Sequence, residues 1–425
     1  MKNYLKKAPI LLFALITLPA LLGYVNYSGY PSDVISFFDE WKITLGDGST
    51  VNDLVNYENE DYFYNENDGI DWVVYKTPNS GGTTPNSSNT RSELRHLPEW
   101  TPETGGKLTG TLKIMHVSTT GDARVPASFS VVVGQIHSSE GHENEPIKIF
   151  YKKFPGHTKG SVFWNYEINT EGDNGERWDY STAVWGYDWS VIGSSATTYP
   201  EEPEDGIELG EEFSYEINVY NGTMYVTFES EGHTTKTFTK SLVSSDYTSY
   251  SDIPEQVLTV FSSTGQDGTE KSDAFAGELQ YFKQGAYNQT NGKDPEENMV
   301  WNTGSETYNG DLADQYANGS YAEVWFKEAT VGPGIDPNIT GIKDNIAGNI
   351  SIYPNPAVSY VQICLHDYSI SSLQLYNLTG QCVINKSPIS GTEIQLDLSD
   401  TESGSYYLVI KNEFKHKTIS KIIKQ

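Results

Sequence analysis

Three short runs set acid, base and cationic groups at every second position. The first is Arg91-Ser92-Glu93-Leu94-Arg95. It lies between a Ser/Asn/Thr loop and Pro98, which leaves too little chain for a helix. As a strand, its period of two puts Arg91, Glu93 and Arg95 on one face. Two guanidinium forks with a carboxylate between them can receive another carboxylate, although a salt-bridged surface strand has the same pattern. The second run, Phe129 to His137, brings Gln135 and His137 to one face, where an amide donor and an imidazole can reach one ligand together. In the third, Leu279 to Gln289, Tyr281, Lys283, Gly285 and Tyr287 share a face, and Gly285 leaves room beside Lys283 and Tyr287 for a ligand or another backbone. Singly, each run reads equally well as ordinary strand packing.

The elements that must position these groups are strands. From about residue 31 to 328, short alternating segments are separated by clusters of Gly, Asn, Ser and Pro. Asn221-Gly222 between Phe213–Tyr220 and Thr223–Glu229 predicts a hairpin, because a type I′ turn needs positive φ at both central positions. With 29 Tyr, 16 Phe and 9 Trp and no long amphipathic helix, the region predicts an all-β fold: an antiparallel sandwich of jelly-roll type with one face curved into a groove.

The chain has 425 residues and a formal charge of -29, with arginine only at 91, 95, 124 and 177. Such acidity disfavours nucleic acid and anionic lipid as partners. Lys2, Lys6 and Lys7 followed by the apolar stretch Ala8 to Val25 predict a secretory signal over about residues 1–23, with an uncleaved anchor as the alternative. A Gly/Pro/Asn-rich linker is expected at 329–346, and a second, charge-balanced β module at 347–425. Its two cysteines, Cys364 and Cys382, could bridge or stay free. No H-E-x-x-H or EF-hand loop occurs, Asp173-Asn174-Gly175-Glu176 reads as a turn, and no metal or cofactor is expected.

Taken together, RSELR at Arg91, QIH at Gln135 and YFKQGAYNQ at Tyr281 resemble the three sequence blocks of polysaccharide lyase family 7, the jelly-roll alginate lyases, over roughly residues 31–328. His96 and Gln284 depart from the usual pattern, but alternation turns both away from the groove. The C-terminal module resembles the sorting domain of the type IX secretion system of Bacteroidetes. Tyr353-Pro354-Asn355-Pro356, the Leu375-Tyr376-Asn377-Leu378-Thr379-Gly380 turn, Gly404-Ser405-Tyr406-Tyr407 and the basic end at Lys421 and Lys424 carry that likeness.

These resemblances imply a secreted or cell-surface, monomeric lyase for alginate, exported through the periplasm of a Gram-negative bacterium by the type IX machinery, without stable membrane insertion after processing. Alginate is built from 1,4-linked mannuronate and guluronate; the lyase removes the C5 proton, expels O4 and leaves 4,5-unsaturated ends. Because that proton lies α to a carboxylate, the developing charge must be neutralised. The resemblance gives this role to Arg91 or Arg95 with Gln135. It makes Tyr287 base and acid on mannuronate, and His137 base with Tyr287 acid on guluronate, and it adds Glu93, Lys283, Tyr281, Asn288 and Gln289 as substrate-binding residues. The isoleucine of QIH leans towards guluronate blocks; block preference and endo or exo action stay open. Salt of sea-water strength screens distant charges within a few ångström, so an acidic surface does not exclude a polyuronate.

Three other readings compete: a carbohydrate-binding protein without activity, a lyase for another polyuronate such as glucuronan, and a glycoside hydrolase. A retaining hydrolase needs two carboxyl groups about 5 to 5.5 Å apart. The acidic run Glu201-Glu202-Pro203-Glu204-Asp205 sits instead in a loop-like setting.

Overall fold

The computed structural model describes residues 29–84, 87, 89–140, 144–255, 268–291, 310–337, 350–365, 369–377, 381–412 and 417–425. The expected signal at 1–23 lies outside them, as does the second half of the expected linker, 338–346. In chain order the strands of the larger unit are β1 (Trp41–Thr44), β2 (Thr50–Val51), β3 (Phe63–Asn67), β4 (Asp71–Pro78), β5 (Arg91–His96), β6 (Gly106–His116), β7 (Ser130–Ser138), β8 (Ile147–Lys152), β9 (Lys159–Thr170), β10 (Asp173–Trp185), β11 (Ile207–Glu208), β12 (Glu212–Tyr220), β13 (Thr223–Ser230), β14 (Lys236–Ser241), β15 (Gln280–Asn288) and β16 (Tyr321–Gly332). Two short helices, α1 (Pro31–Val34) and α2 (Leu312–Asn318), accompany them.

The strands form two antiparallel sheets. One runs β10-β9-β8-β7-β15-β5-β1-β2, with β11 paired to β9; the other runs β14-β13-β12-β6-β16-β4-β3. Neighbours in the sheets are often distant in sequence, as the crossovers of a jelly roll require. Between the sheets lies one apolar core, which takes Leu94, Ile136, Ile149 and Phe282 from the first sheet and Leu112, Ile217, Val226 and Phe326 from the second. Gln284 of β15 donates to the Tyr215 hydroxyl at 2.7 Å, and that hydroxyl donates to the Val133 carbonyl at 3.2 Å, so polar contacts tie the two sheets across the sandwich.

Local chemistry explains several joints. The expected hairpin forms: Tyr220 pairs with Thr223, and Asn221 and Gly222 have φ of 48° and 79°. Two expectations need correction. The linker does not begin at 329, because β16 stays paired with β6 through Gly332↔Lys107; the Ala-Thr-Val of that segment is strand chemistry that the following Gly and Pro obscured. Asp173–Glu176 is not a simple turn but the start of β10, with a register shift between Asp173 and Arg177; the bend itself falls at 171–172, where Gly172 has φ 78°.

The C-terminal residues form two smaller sheets around a core of their own. Their strands are β17 (Ile350–Tyr353), β18 (Tyr360–Leu365), β19 (Ile370–Asn377), β20 (Cys382–Lys386), β21 (Glu393–Asp397), β22 (Gly404–Asn412) and β23 (Lys417–Lys424). The orders are β17-β18-β21 and β20-β19-β22-β23. Val361, Ile363, Leu373, Leu375, Leu396 and Leu408 fill the space between them. Cys364 and Cys382 are both free thiols, on different sheets.

Of the two uses expected for the space at Gly285, a ligand or another backbone, the structure shows the second. Its φ is 139°, and a Cβ there would stand 2.6 Å from the Ser92 carbonyl oxygen. The residue therefore lets β15 approach β5. Gly285→Ala is expected to cost about 2 kcal/mol through backbone strain and this clash. Urea unfolding measures it, and an unshifted midpoint would overturn the reading.

Candidate active site

Three runs far apart in sequence become neighbours because β15 is inserted between β7 and β5. The registers are Lys283↔Arg95, Gly285↔Glu93 and Tyr287↔Arg91 on one side, and Tyr281↔His137 and Lys283↔Gln135 on the other. Directly paired residues point to the same side of a sheet. One polar patch thus gathers Arg91, Glu93, Arg95, Gln135, His137, Tyr281, Lys283 and Tyr287, on the side away from the core. His96 and Gln284 face the core, His96 against Trp41 and Gln284 against Tyr215.

Glu93 organises the patch. Its side chain is almost fully buried, and one carboxylate oxygen accepts from Lys283 Nζ at 2.6 Å and from Arg91 at 3.0 Å. The other oxygen accepts from the Gln135 amide nitrogen. Burial alone would push this carboxyl up, but Lys283 and Arg91 hold it below the usual carboxylate range, so it is an anion that fixes three donors. Lys283 goes the other way: burial, reinforced by Arg91, lowers its pKa to about 8 despite the pull of Glu93.

The two arginines are not equivalent. The Arg91 guanidinium lies 3.8 Å over the Tyr287 ring and donates to Ser87 Oγ at 2.8 Å, and Ser87 Oγ is 3.3 Å from the Tyr287 hydroxyl. Arg95 is turned outward, 4.0 Å over the Tyr281 ring and 2.5 Å from Glu99. Tyr281 also stacks on His137, with centroids 5.1 Å apart and planes 10° from parallel. The His137 ring is a quarter exposed, with Nδ1 2.6 Å from the Ser138 carbonyl oxygen and Nε2 3.5 Å from Glu145. Burial lowers its pKa below the ordinary histidine value, so the ring is readily neutral and able to accept a proton.

Two expected substrate contacts are turned to the framework instead. Asn288 is fully buried; its amide donates to Asn79 Oδ1 at 2.9 Å and to the Pro78 carbonyl at 3.2 Å. By alternation it points opposite to Tyr287. Gln289 is also buried and donates to the Tyr287 carbonyl at 3.4 Å. Both brace the end of β15 beside Tyr287. Sequence reasoning missed Ser87, Glu99 and Glu145, which sit in polar loops with no periodic signal. Among the described residues no cluster of His, Cys, Asp and Glu could hold a metal ion.

The chain is similar to known alginate lyases. Residues 35–333 match the model of the alginate lyase family, and residues 351–425 match that of the secretion system C-terminal sorting domain. An alginate lyase of Klebsiella pneumoniae is 30% identical over 275 residues, 57% of this chain and 75% of that protein. Among solved structures, the exolytic PL7 alginate lyase of Zobellia galactanivorans is 70% identical, with a TM-score of 0.70, over 72% of this chain and 99% of that one. The crystal structure of the Klebsiella pneumoniae enzyme, 24% identical, shares the fold with a TM-score of 0.51, over 72% of this chain and 99% of that one. With the matched region spanning all three site strands, the chain belongs to the family 7 alginate lyases and carries a type IX sorting domain at its C-terminus.

Proposed function

We propose that this polysaccharide lyase cuts alginate by β-elimination on the patch around Glu93, and that Arg91 rather than Arg95 neutralises the substrate carboxylate. The stacking of Arg91 on Tyr287 carries this reading: the cation that would meet the carboxylate lies 3.8 Å from the ring that would move the proton. Gln135 and Lys283, tied to the same carboxylate as Arg91, complete the receptor. With the C5 proton acidified, His137 takes it from guluronate and Tyr287 protonates the departing O4; on mannuronate Tyr287 does both. Arg95, paired with Glu99, supports the Tyr281 and His137 stack.

The 70% identity to an enzyme described as exolytic supports release of short unsaturated products from chain ends. The sorting domain supports export by the type IX machinery to the cell surface or medium. A binding protein without activity would not need a proton donor and a neutral imidazole facing one ligand. A hydrolase would need a second free carboxyl, whereas Glu93 is consumed by three donors.

Incubation with alginate is expected to raise ultraviolet absorbance from the new C4=C5 bond; reducing ends without absorbance would mean hydrolysis. Tyr287→Phe should lower turnover by about 10²-fold or more and leave polymer binding in place; retained turnover would sink the assignment. Exolytic action predicts small products from the earliest time points with slow loss of viscosity, and an early viscosity collapse would show internal cutting. Glu93→Gln leaves two buried cations without their counter-ion and is expected to cost about 3 kcal/mol in urea unfolding together with most of the turnover; a native midpoint would remove Glu93 from its organising role.

A further inference from the structure

The two ring nitrogens of His137 have different surroundings. Nδ1 is 2.6 Å from the Ser138 carbonyl oxygen, an acceptor only, so Nδ1 carries the proton and Nε2 keeps the lone pair of the neutral ring. Oε1 of Glu145 lies 3.5 Å from Nε2. Glu145 precedes β8 and is 7% exposed. It is fixed from behind: Lys148 Nζ of β8 lies 3.3 Å from its other oxygen, and the Glu167 amide of β9 donates to its backbone carbonyl at 3.0 Å. Lys148 also reaches Glu167 at 2.8 Å, Glu167 meets Arg177 at 3.4 Å, and Arg177 meets Asp179 at 3.2 Å. This chain of charges crosses three strands next to the catalytic patch, and the elimination described above uses none of it. Burying so many charges costs desolvation energy, so the arrangement calls for a function.

Glu145 supplies the negative charge at the ring. From β15, Tyr281 stacks on His137 and Lys283 brings a cation; from β8 comes Lys148; Gln135 stands beside it on β7. Burial, Lys283 and Lys148 all disfavour a charged imidazole, and Glu145 opposes them. Burial would push the Glu145 carboxyl up, but Lys148 and a hydrogen bond from Glu167 hold it well below the carboxylate range. Burial, with Asp179 and Glu145, pushes the Glu167 carboxyl up against the pull of Arg177 and Lys148.

We propose that Glu145 is a positioning residue for His137: its fixed carboxylate stabilises the imidazolium formed when Nε2 takes the C5 proton of a guluronate unit, and holds the charged ring in place. This rests on His137 being the guluronate base. In that step the C5–H pair becomes the C4=C5 bond, the C4–O4 pair leaves with O4, and O4 takes the Tyr287 proton. Solvent then carries the imidazolium proton back to the tyrosinate. Without Glu145 the imidazole is a weaker base, and elimination slows although the substrate still binds.

The test uses full-length protein on guluronate blocks, with absorbance followed across pH. Activity needs neutral His137, so it rises on the acid side as the ring loses its proton. Glu145→Gln removes the opposing charge and should move this acid limb down by about one pH unit and lower the plateau kcat about tenfold, with KM little changed. Glu145→Asp keeps the charge and should return the limb towards its original position. An unmoved limb in both variants overturns the proposal. So does an equal loss on mannuronate blocks, where Tyr287 is the base and no imidazolium forms. His137→Asn separates the two levels: retained guluronate turnover would remove the base assignment and Glu145 with it, whereas lost turnover beside an unmoved Glu145→Gln limb would remove the role of Glu145 alone.

Discussion

A single buried carboxylate, Glu93, determines how this site can work. Arg91, Lys283 and Gln135 come from three different strands and converge on its two oxygens. Two cations and an amide so close together would otherwise repel one another or scatter into solvent. Neutralising them partially, from beneath, leaves a patch that still favours an incoming carboxylate and holds its donors in fixed directions. Orientation is thereby settled before the substrate arrives, which is the condition for electrostatic stabilisation to act on the transition state.

The rest of the sandwich serves that convergence. Tyr215 and Gln284 tie the two sheets together directly beneath the patch. Asn79, Asn89 and Asn288 knot the segment before β5 to the end of β15, so that Tyr287 is held from both sides. Gly285 allows the two strands to close at the level of Glu93. None of these residues meets the substrate in the proposed mechanism, yet each fixes one that does.

Much of this was legible in the sequence because a strand repeats every two residues. Alternation alone put Arg91 with Glu93 and Arg95, Gln135 with His137, and Lys283 with Tyr281 and Tyr287, and the family blocks joined the three runs into one expected site; the pairing of the strands came only with the fold. The unread part has a physical reason. Asn288 and Gln289 lie within a recognisable block, but polarity does not reveal that an amide will be spent on Asn79 and Pro78 instead of a ligand. Glu145 stands in Glu143-Asn144-Glu145-Pro146, which reads as a solvated loop; only the fold of β8 and β9 gives it Lys148 and Glu167 as neighbours. The end of β16 was hidden because Gly and Pro soon after it mimic a linker.

The central place of β15 also bears on when the enzyme exists. Residues 91, 135 and 287 come from points far apart along the chain, and the strand that joins them emerges late, after most of both sheets has been made. Until β15 slots between β7 and β5, Glu93 has no lysine partner and Tyr287 is not in the patch. A chain in which β15 has not yet joined the sheet therefore lacks the assembled patch. Completion of the sheet is the step that brings the polar residues of all three strands together.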